Sequence, residues 1–172
     1  IREQQVMSLT TYLGREGNLL AETPEHARRL KLKTPILTDA DLERIRACQI
    51  AEFRSLTLDI TFPVSAGDKG LEEAMARLCR EAQQAVDDGY TVIILSDRAV
   101  SPERAPVPSL LAVSGVGHHL NREGIRNRVG LVLESGEPRE VNHFALLSSF
   151  GCDAVNPYLA LETVSSLHAA GH

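Results

Sequence analysis

Tryptophan is absent and aromatic residues make up only 4% of the 172. The chain therefore lacks the stacking faces on which bases and sugars are held, and its core must be aliphatic. Its three cysteines, Cys48, Cys79 and Cys152, are odd in number and widely spaced. That pattern fits neither a disulfide framework nor a zinc site, and it points to a reducing, cytoplasmic compartment. The longest aliphatic run, Val92 to Leu95, is four residues, against roughly 20 needed to cross a bilayer. Positive charge is also short: 18 Lys+Arg stand against 23 Asp+Glu, a net charge of −5. This is the reverse of a nucleic-acid footprint. The chain opens on Ile1 with no apolar h-region, so no signal peptide is visible and it reads as a piece of something longer. What is present, 43% hydrophobic and 24% charged residues, is the composition of a globular protein. A chain of this length buries roughly 70% of its unfolded surface without needing a metal or a disulfide.

Residues 1–54 read as an N-terminal arm with short helices. Tyr12 to Leu20 carries two glycines and no period, as in a loop lying over a partner surface. Thr23-Pro24-Glu25 signals a short helix, with Thr as N-cap and Pro in the first helical position. Lys33-Thr34-Pro35 stops it. Thr38 with Asp41 resembles a capping box opening a second helix over about 39–50.

Residues 55–172 form a βα repeat. Ser55 to Phe62 alternates, with Leu56, Leu58, Ile60 and Phe62 on one side. Leu71, Ala74, Met75, Leu78, Ala82, Ala85 and Val86 then fall on one face of a helix that Gly89 ends. Thr91 to Ser96 is apolar in its middle, as in a strand buried on both sides. A helix from Pro108 to about Leu120, a strand over Arg128 to Leu133, a helix from Pro138 to Gly151, a short strand at Cys152 to Val155 and a helix from Pro157 complete the series. The expected class is α/β, a parallel sheet of alternating βα units resembling an incomplete half of a TIM-type barrel, with an open doubly wound sheet as the alternative.

Ligands in such folds bind beyond the carboxyl ends of the strands, so the positions of interest are Ser96, Asp97, Arg98, Glu134 and Asn156. Ser65 to Gly70 has glycines and a Lys before a helix, yet it satisfies neither the P-loop nor the dinucleotide pattern. Asp97 reads as a loop cap paired with Arg98 or a nearby Arg. Asp97 and Glu134 together make the only acid/base pair that topology suggests. His118 and His119, adjacent on a helix, point about 100° apart and do not chelate one ion; His118 reads as an interhelix hydrogen-bond donor. His143 sits beside Phe144 on a helix. No nucleophile elbow is present and no Cys adjoins a His. No catalytic, cofactor-binding or metal residue is assigned.

A series of blocks in register is more specific than any of these motifs. Gly17-Asn18-Leu19-Leu20, Thr34-Pro35-Ile36-Leu37-Thr38, Gly70-Leu71, Ser96-Asp97-Arg98 and Pro108 to Val113 come first. His118-His119-Leu120, Arg122-Glu123-Gly124, Val129 to Glu137, Arg139-Glu140-Val141, His143-Phe144-Ala145 and Asp153 to Ala160 follow. Together, from about Met7 to Thr163, they resemble the central domain of the glutamate synthase large subunit. Ser114 to Gly117 and Asn121 depart from that pattern. The resemblance implies a parent iron–sulfur flavoprotein that makes two glutamates from glutamine and 2-oxoglutarate. Within it, the central domain would connect the amidotransferase and FMN-binding domains and help wall the ammonia path. FMN and the iron–sulfur cluster are expected in that parent and not in these residues. The alternative is an independent small α/β enzyme or phosphate binder using Gly67 to Gly70, Asp97 and Glu134.

Overall fold

The computed structural model describes residues 7–171 apart from Leu19 and Glu22, so Leu19 of the arm motif lies outside it. In the arm, β1 (Thr11–Leu13) pairs antiparallel with β2 (Leu30–Leu32). The signal at Thr23-Pro24 yields a single 3-10 turn, Pro24–Ala27. Helix α1 (Asp39–Arg46) opens on the expected capping box: Thr38 Oγ1 accepts from the Asp41 amide at 3.2 Å, and the Asp41 carboxylate accepts from Thr38 N at 3.3 Å. It ends four residues earlier than expected, and a further 3-10 turn, Ala51–Phe53, leads into the sheet.

β3 (Ser55–Asp59) is followed without a loop by β4 (Thr61–Pro63), because the alternating run breaks at Ile60. The Ile60 amide still donates to Ser96 O, while its carbonyl accepts from the Val107 amide. β4 thereby leaves the main sheet and pairs antiparallel with β6 (Arg104–Pro106), which lies downstream of β5 (Val92–Ser96). Helix α2 (Gly67–Asp87) buries Ala74, Leu78, Ala82, Ala85 and Val86, as its period requires, and Gly89 follows it at φ +81°. α3 (Ser109–Arg122), β7 (Gly130–Glu134), α4 (Val141–Ser149), β8 (Ala154–Asn156) and α5 (Tyr158–Ala169) complete the chain. α4 begins three residues beyond Pro138, where His143 Nδ1 accepts from the Arg139 and Glu140 amides at 3.1 and 3.4 Å. That acceptor role leaves the ring proton on Nε2.

The main sheet is parallel in the order β3-β5-β7-β8. Consecutive order with right-handed crossovers places successive helices on one face. The sheet is not closed into a barrel. Beyond β8 a fifth parallel segment joins it: Leu37 N donates to Val155 O at 2.8 Å and Val155 N to Pro35 O at 2.7 Å. Strand alternation divides the core. Ile93, Leu95, Leu131, Leu133 and Val155 face α2, α3 and α4 in the larger cluster. Val92, Ile94, Val132 and Ala154 face the other way, against Leu13, Leu37, Leu42 and Ile45 of the arm. The arm thus lies on this chain's own sheet, where a closed barrel would have its interior.

Gly130 shows how close that approach is. A Cβ there would overlap the Leu13 side chain and the Gly14 amide. Of the two unusual glycines of α3, Gly115 is met by the end of the Met75 side chain of α2, where a Cβ would overlap it, whereas a Cβ on Gly117 would make only an ordinary contact at 3.6 Å with Phe150 O, so Gly117 has no steric explanation. Asn121, the other departure from the family pattern, is exposed and constrains no packing.

Candidate functional site

The four main strands end on polar residues in one row. Asp59 is opposite Ser96, Ser96 opposite Glu134, and Glu134 opposite Asn156. Alternation turns all four to the arm face, since Leu58, Leu95, Leu133 and Val155 occupy the helix face. Three of the four were anticipated as strand-end residues. Asp59 was not, although the polar last position shared by every strand is a signal for it.

Glu134 is 2% exposed and lies at the centre of the row. Arg46, the last residue of α1, donates from Nη2 to Glu134 Oε2 at 2.5 Å, and Arg98 Nε donates to Oε1 at 3.1 Å. Ser96 Oγ also donates to Oε2 at 2.5 Å. Burial alone would raise the Glu134 carboxyl, but the Arg46, Ser96 and Arg98 donors outweigh it and hold the group below its usual value. Arg98 extends the cluster, reaching Asp39 Oδ2 at 3.3 Å and Glu162 Oε1 at 3.5 Å. Its guanidinium carbon stands 3.7 Å from the Tyr158 ring centroid.

Asp97, 3% exposed, makes no bond to Arg98 or to any other Arg among the described residues, contrary to the expected pairing. The residue after a strand's last inward position points to the opposite side, so Asp97 turns toward the β7–α4 loop while Arg98 returns to Glu134. Asp97 accepts from Ser135 Oγ at 2.6 Å, from the Gly136 amide at 3.1 Å and from Tyr158 Oη at 2.9 Å. Ser135 has one hydroxyl proton and gives it to Asp97, so Ser109 is the donor in the 2.7 Å contact between Ser109 Oγ and Ser135 Oγ. The Tyr158 hydroxyl is pushed up to about 12 by burial and by its bond to Asp97. Asp97 and Glu134, suggested by topology as an acid/base pair, belong to two separate networks, each bonded within the protein.

Asn156 Nδ2 donates to Leu37 O at 3.0 Å and to Asp39 Oδ1 at 2.8 Å, binding β8 to the start of α1. Asp59 accepts from Arg104 Nη2 at 2.8 Å and from the Thr61 amide at 2.8 Å, holding the break between β3 and β4. Arg46 is the site residue that sequence reasoning missed, because nothing local connects it with Glu134, 88 residues away. The interhelix bond expected of His118 is made by its neighbour: His119 Nε2 lies 3.0 Å from Gln83 Oε1, while His118 is exposed.

The described residues offer no donor set that fits an iron–sulfur cluster. Among the described residues no group of three or more His, Cys, Asp and Glu could hold a metal ion, and the three cysteines are separate. Cys152 is enclosed, its thiol pushed up to about 12 by burial. The Gly67 to Gly70 turn does not fit a flavin phosphate either. Asp68 stands in the first turn of α2, where it would repel the anion, and a Cβ on Gly70 would meet Ala66 and Phe62, so protein fills that side. Among the described residues no helix is long and apolar enough to cross a membrane.

Fold and site together define an open, parallel α/β half-barrel-like domain whose inner face is covered by its own N-terminal arm and whose strand-end side chains each hydrogen-bond within the protein. The chain belongs to the glutamate synthase central domain family, whose model matches residues 1–172. It is 44% identical over 169 residues to glutamate synthase (NADH) of Schizosaccharomyces pombe, covering 97% of this chain and 8% of that protein. It is 40% identical over 163 residues to the glutamate synthase (NADPH) large chain of Bacillus subtilis, covering 95% of this chain and 10% of that one. The chloroplastic ferredoxin-dependent glutamate synthase of Spinacia oleracea matches at 37% over 166 residues, covering 95% and 10%. The chain thus spans about a tenth of the length of these relatives.

Proposed function

We propose that this segment is the connecting domain of a glutamate synthase, linking its glutamine amidotransferase domain to its FMN-binding synthase domain and helping to form the path along which ammonia passes. The parent enzyme, a cytoplasmic oxidoreductase with FMN and an iron–sulfur cluster, takes the amide nitrogen of glutamine to 2-oxoglutarate and, with two electrons, yields two glutamates. The segment itself carries no reaction. Its arm, 1–54, and its βα repeat, 55–172, act as one scaffold between the two neighbours.

One observation carries this reading: the two strand-end carboxylates that would do chemistry in a βα fold are consumed internally. Glu134 is held by two arginines and a serine, and Asp97 by Ser135, Gly136 and Tyr158. A small independent enzyme using Asp97 and Glu134 would need at least one of them facing substrate, and nothing favours that alternative.

The test is Asp97→Asn in the full-length enzyme. Glutamine hydrolysis should continue while its coupling to glutamate formation weakens, and stability should fall by about 1–3 kcal/mol as buried donors lose their acceptor. A fully stable variant that has lost both half-reactions would make Asp97 catalytic and refute the proposal.

A further inference from the structure

Between β2 and α1 the arm leaves a cavity of about 580 Å³. β2 has three residues and α1 eight, and aromatic residues make up only 4% of the chain, so few side chains are large enough to fill the gap between strand and helix. The floor belongs to the core: Leu37, Ile45 and Val92 line it and are buried. Leu32 and Phe53 add apolar walls, and the half-buried Cys48 completes the lining. A cavity of roughly 300–1,000 Å³ with apolar walls and a few polar groups has the character of a small-molecule site. The polar groups are Lys31, Lys33, Thr34, Asp41 and Arg44. Asp41 is already committed, to Arg44 at 3.2 Å and to the Thr38 hydroxyl at 2.6 Å. The arm's other acids Glu16, Asp39, Glu43 and Glu52 are each paired with an arginine, which leaves Lys31 and Lys33 without an ionic partner among the described residues. In a chain of net charge −5, the uncommitted charge at this mouth is positive.

We propose that the cavity between β2 and α1 binds a small amphipathic anion, with an alkyl or aryl body lying on Leu37, Ile45 and Val92 and a carboxylate facing Lys31 and Lys33. The apolar floor selects against a compact hydrophilic anion such as phosphate, because it offers nothing to replace the water that such an ion would lose. The two lysines select against a cation of the same shape. Cys48 places a thiol in the lining, so that occupancy can be read without altering the site.

The test uses the full-length protein and decanoate as probe, below its micellar concentration, with decanol and decylammonium as neutral and cationic counterparts. Cys48 supplies the readout, and Cys79, also half-buried but on α2 across the sheet, is the internal reference. Both are alkylated with maleimide and followed peptide by peptide by mass spectrometry. Saturating decanoate should slow Cys48 at least about tenfold and leave Cys79 unchanged, because a filled cavity admits the reagent only while the ligand is off. Decanol should protect more weakly and decylammonium least. Lys31→Glu combined with Lys33→Glu, both exposed and outside the core, should weaken decanoate about fivefold to tenfold, as expected for one or two part-exposed ion pairs, and leave decanol unchanged. Calorimetric titration of the unsubstituted protein measures the same affinity without a cysteine reagent. A Cys48 that reacts equally with and without decanoate would overturn the proposal, as would equal protection by all three compounds. A Cys48 that is inert before any ligand is added would overturn it too, because the cavity would then be filled by another part of the polypeptide. These readings do not depend on turnover, so they are separate from the activity test of Asp97→Asn.

Discussion

Arg98 and Tyr158 join the end of β5 to the start of α5: the guanidinium carbon lies 3.7 Å from the ring centroid while Nε is bonded to Glu134 and the phenol to Asp97. The pair links the two strand-end side-chain networks, which the Asp97 amide also joins through its bond to Glu134 O at 3.1 Å. An arginine over a desolvated ring adds attraction beyond that of its ion pairs. Replacing Tyr158 by Phe should therefore be mild at Arg98 and felt at Asp97, whereas Arg98→Lys should weaken both the stacking and the bond to Glu134.

Removing the Glu134 carboxylate leaves Arg46 and Arg98 without their shared partner. For a fully enclosed pair that costs about 3–5 kcal/mol, but water reaches both arginines, so Glu134→Ala should cost about 2 kcal/mol. Urea unfolding checks it. An unchanged midpoint would show that the arginines are satisfied elsewhere.

Acid should act through the same carboxylate. Its folded-state pKa is lowered, so its stabilisation is complete above the unfolded value and is lost as pH falls through the folded one. A Glu134→Gln protein should start less stable at neutral pH and lose less on acidification, and acid titration followed by circular dichroism tests this. Tyr158 acts at the other extreme. Its pKa is raised to about 12, so its stabilisation is complete below the ordinary phenol value near 10 and fades between about 10 and 12. Phenolate absorbance should show one tyrosine ionising late, and Tyr158→Phe should remove that phase.

Gly130→Ala should be costly for a steric reason. The added methyl overlaps Leu13 and the Gly14 amide, and overpacking of this kind costs about 1–3 kcal/mol. Leu13→Ala alone leaves a cavity and should cost about 2–5 kcal/mol. Thermal melts of the double variant should show less loss than the sum of the two. Strict additivity would mean that the arm does not lie where it is seen.

Cys152 offers a probe of opening. Its thiol is enclosed, pushed up to about 12, and donates to Ala154 O at 3.1 Å. Alkylation of this residue should proceed only through unfolding and should accelerate with Leu13→Ala. Fast labelling in the native protein would contradict its burial.

The periodic elements were legible in the sequence because one face of each is buried against the same sheet. The apolar series from Leu71 to Val86 and the continuous run from Val92 to Leu95 leave little choice of structure. The short antiparallel pairs were not legible. β4 and β6 are three residues each, and their pairing depends on a break at Ile60 that no local signal announces. Pro138 suggested a helix start, but the His143 ring sets it three residues later. At the strand ends, Ser96, Asp97, Arg98, Glu134 and Asn156 were marked by topology alone. Their partners, Arg46, Tyr158 and Asp39, are supplied from distant parts of the chain, and proximity created only by folding leaves no periodic trace.

The bond between Val155 and Pro35–Leu37 also sets a limit on growth. β8 is the strand to which another βα unit would be added, and its outer row of amides and carbonyls is already used by the segment before α1. A chain cut before residue 38 would uncover that row and turn a finished sheet into a template for other strands. The segment from Pro35 to Leu37 therefore acts as a terminator, keeping the domain at four repeat strands and making its solubility depend on residues more than a hundred positions away from the edge they protect.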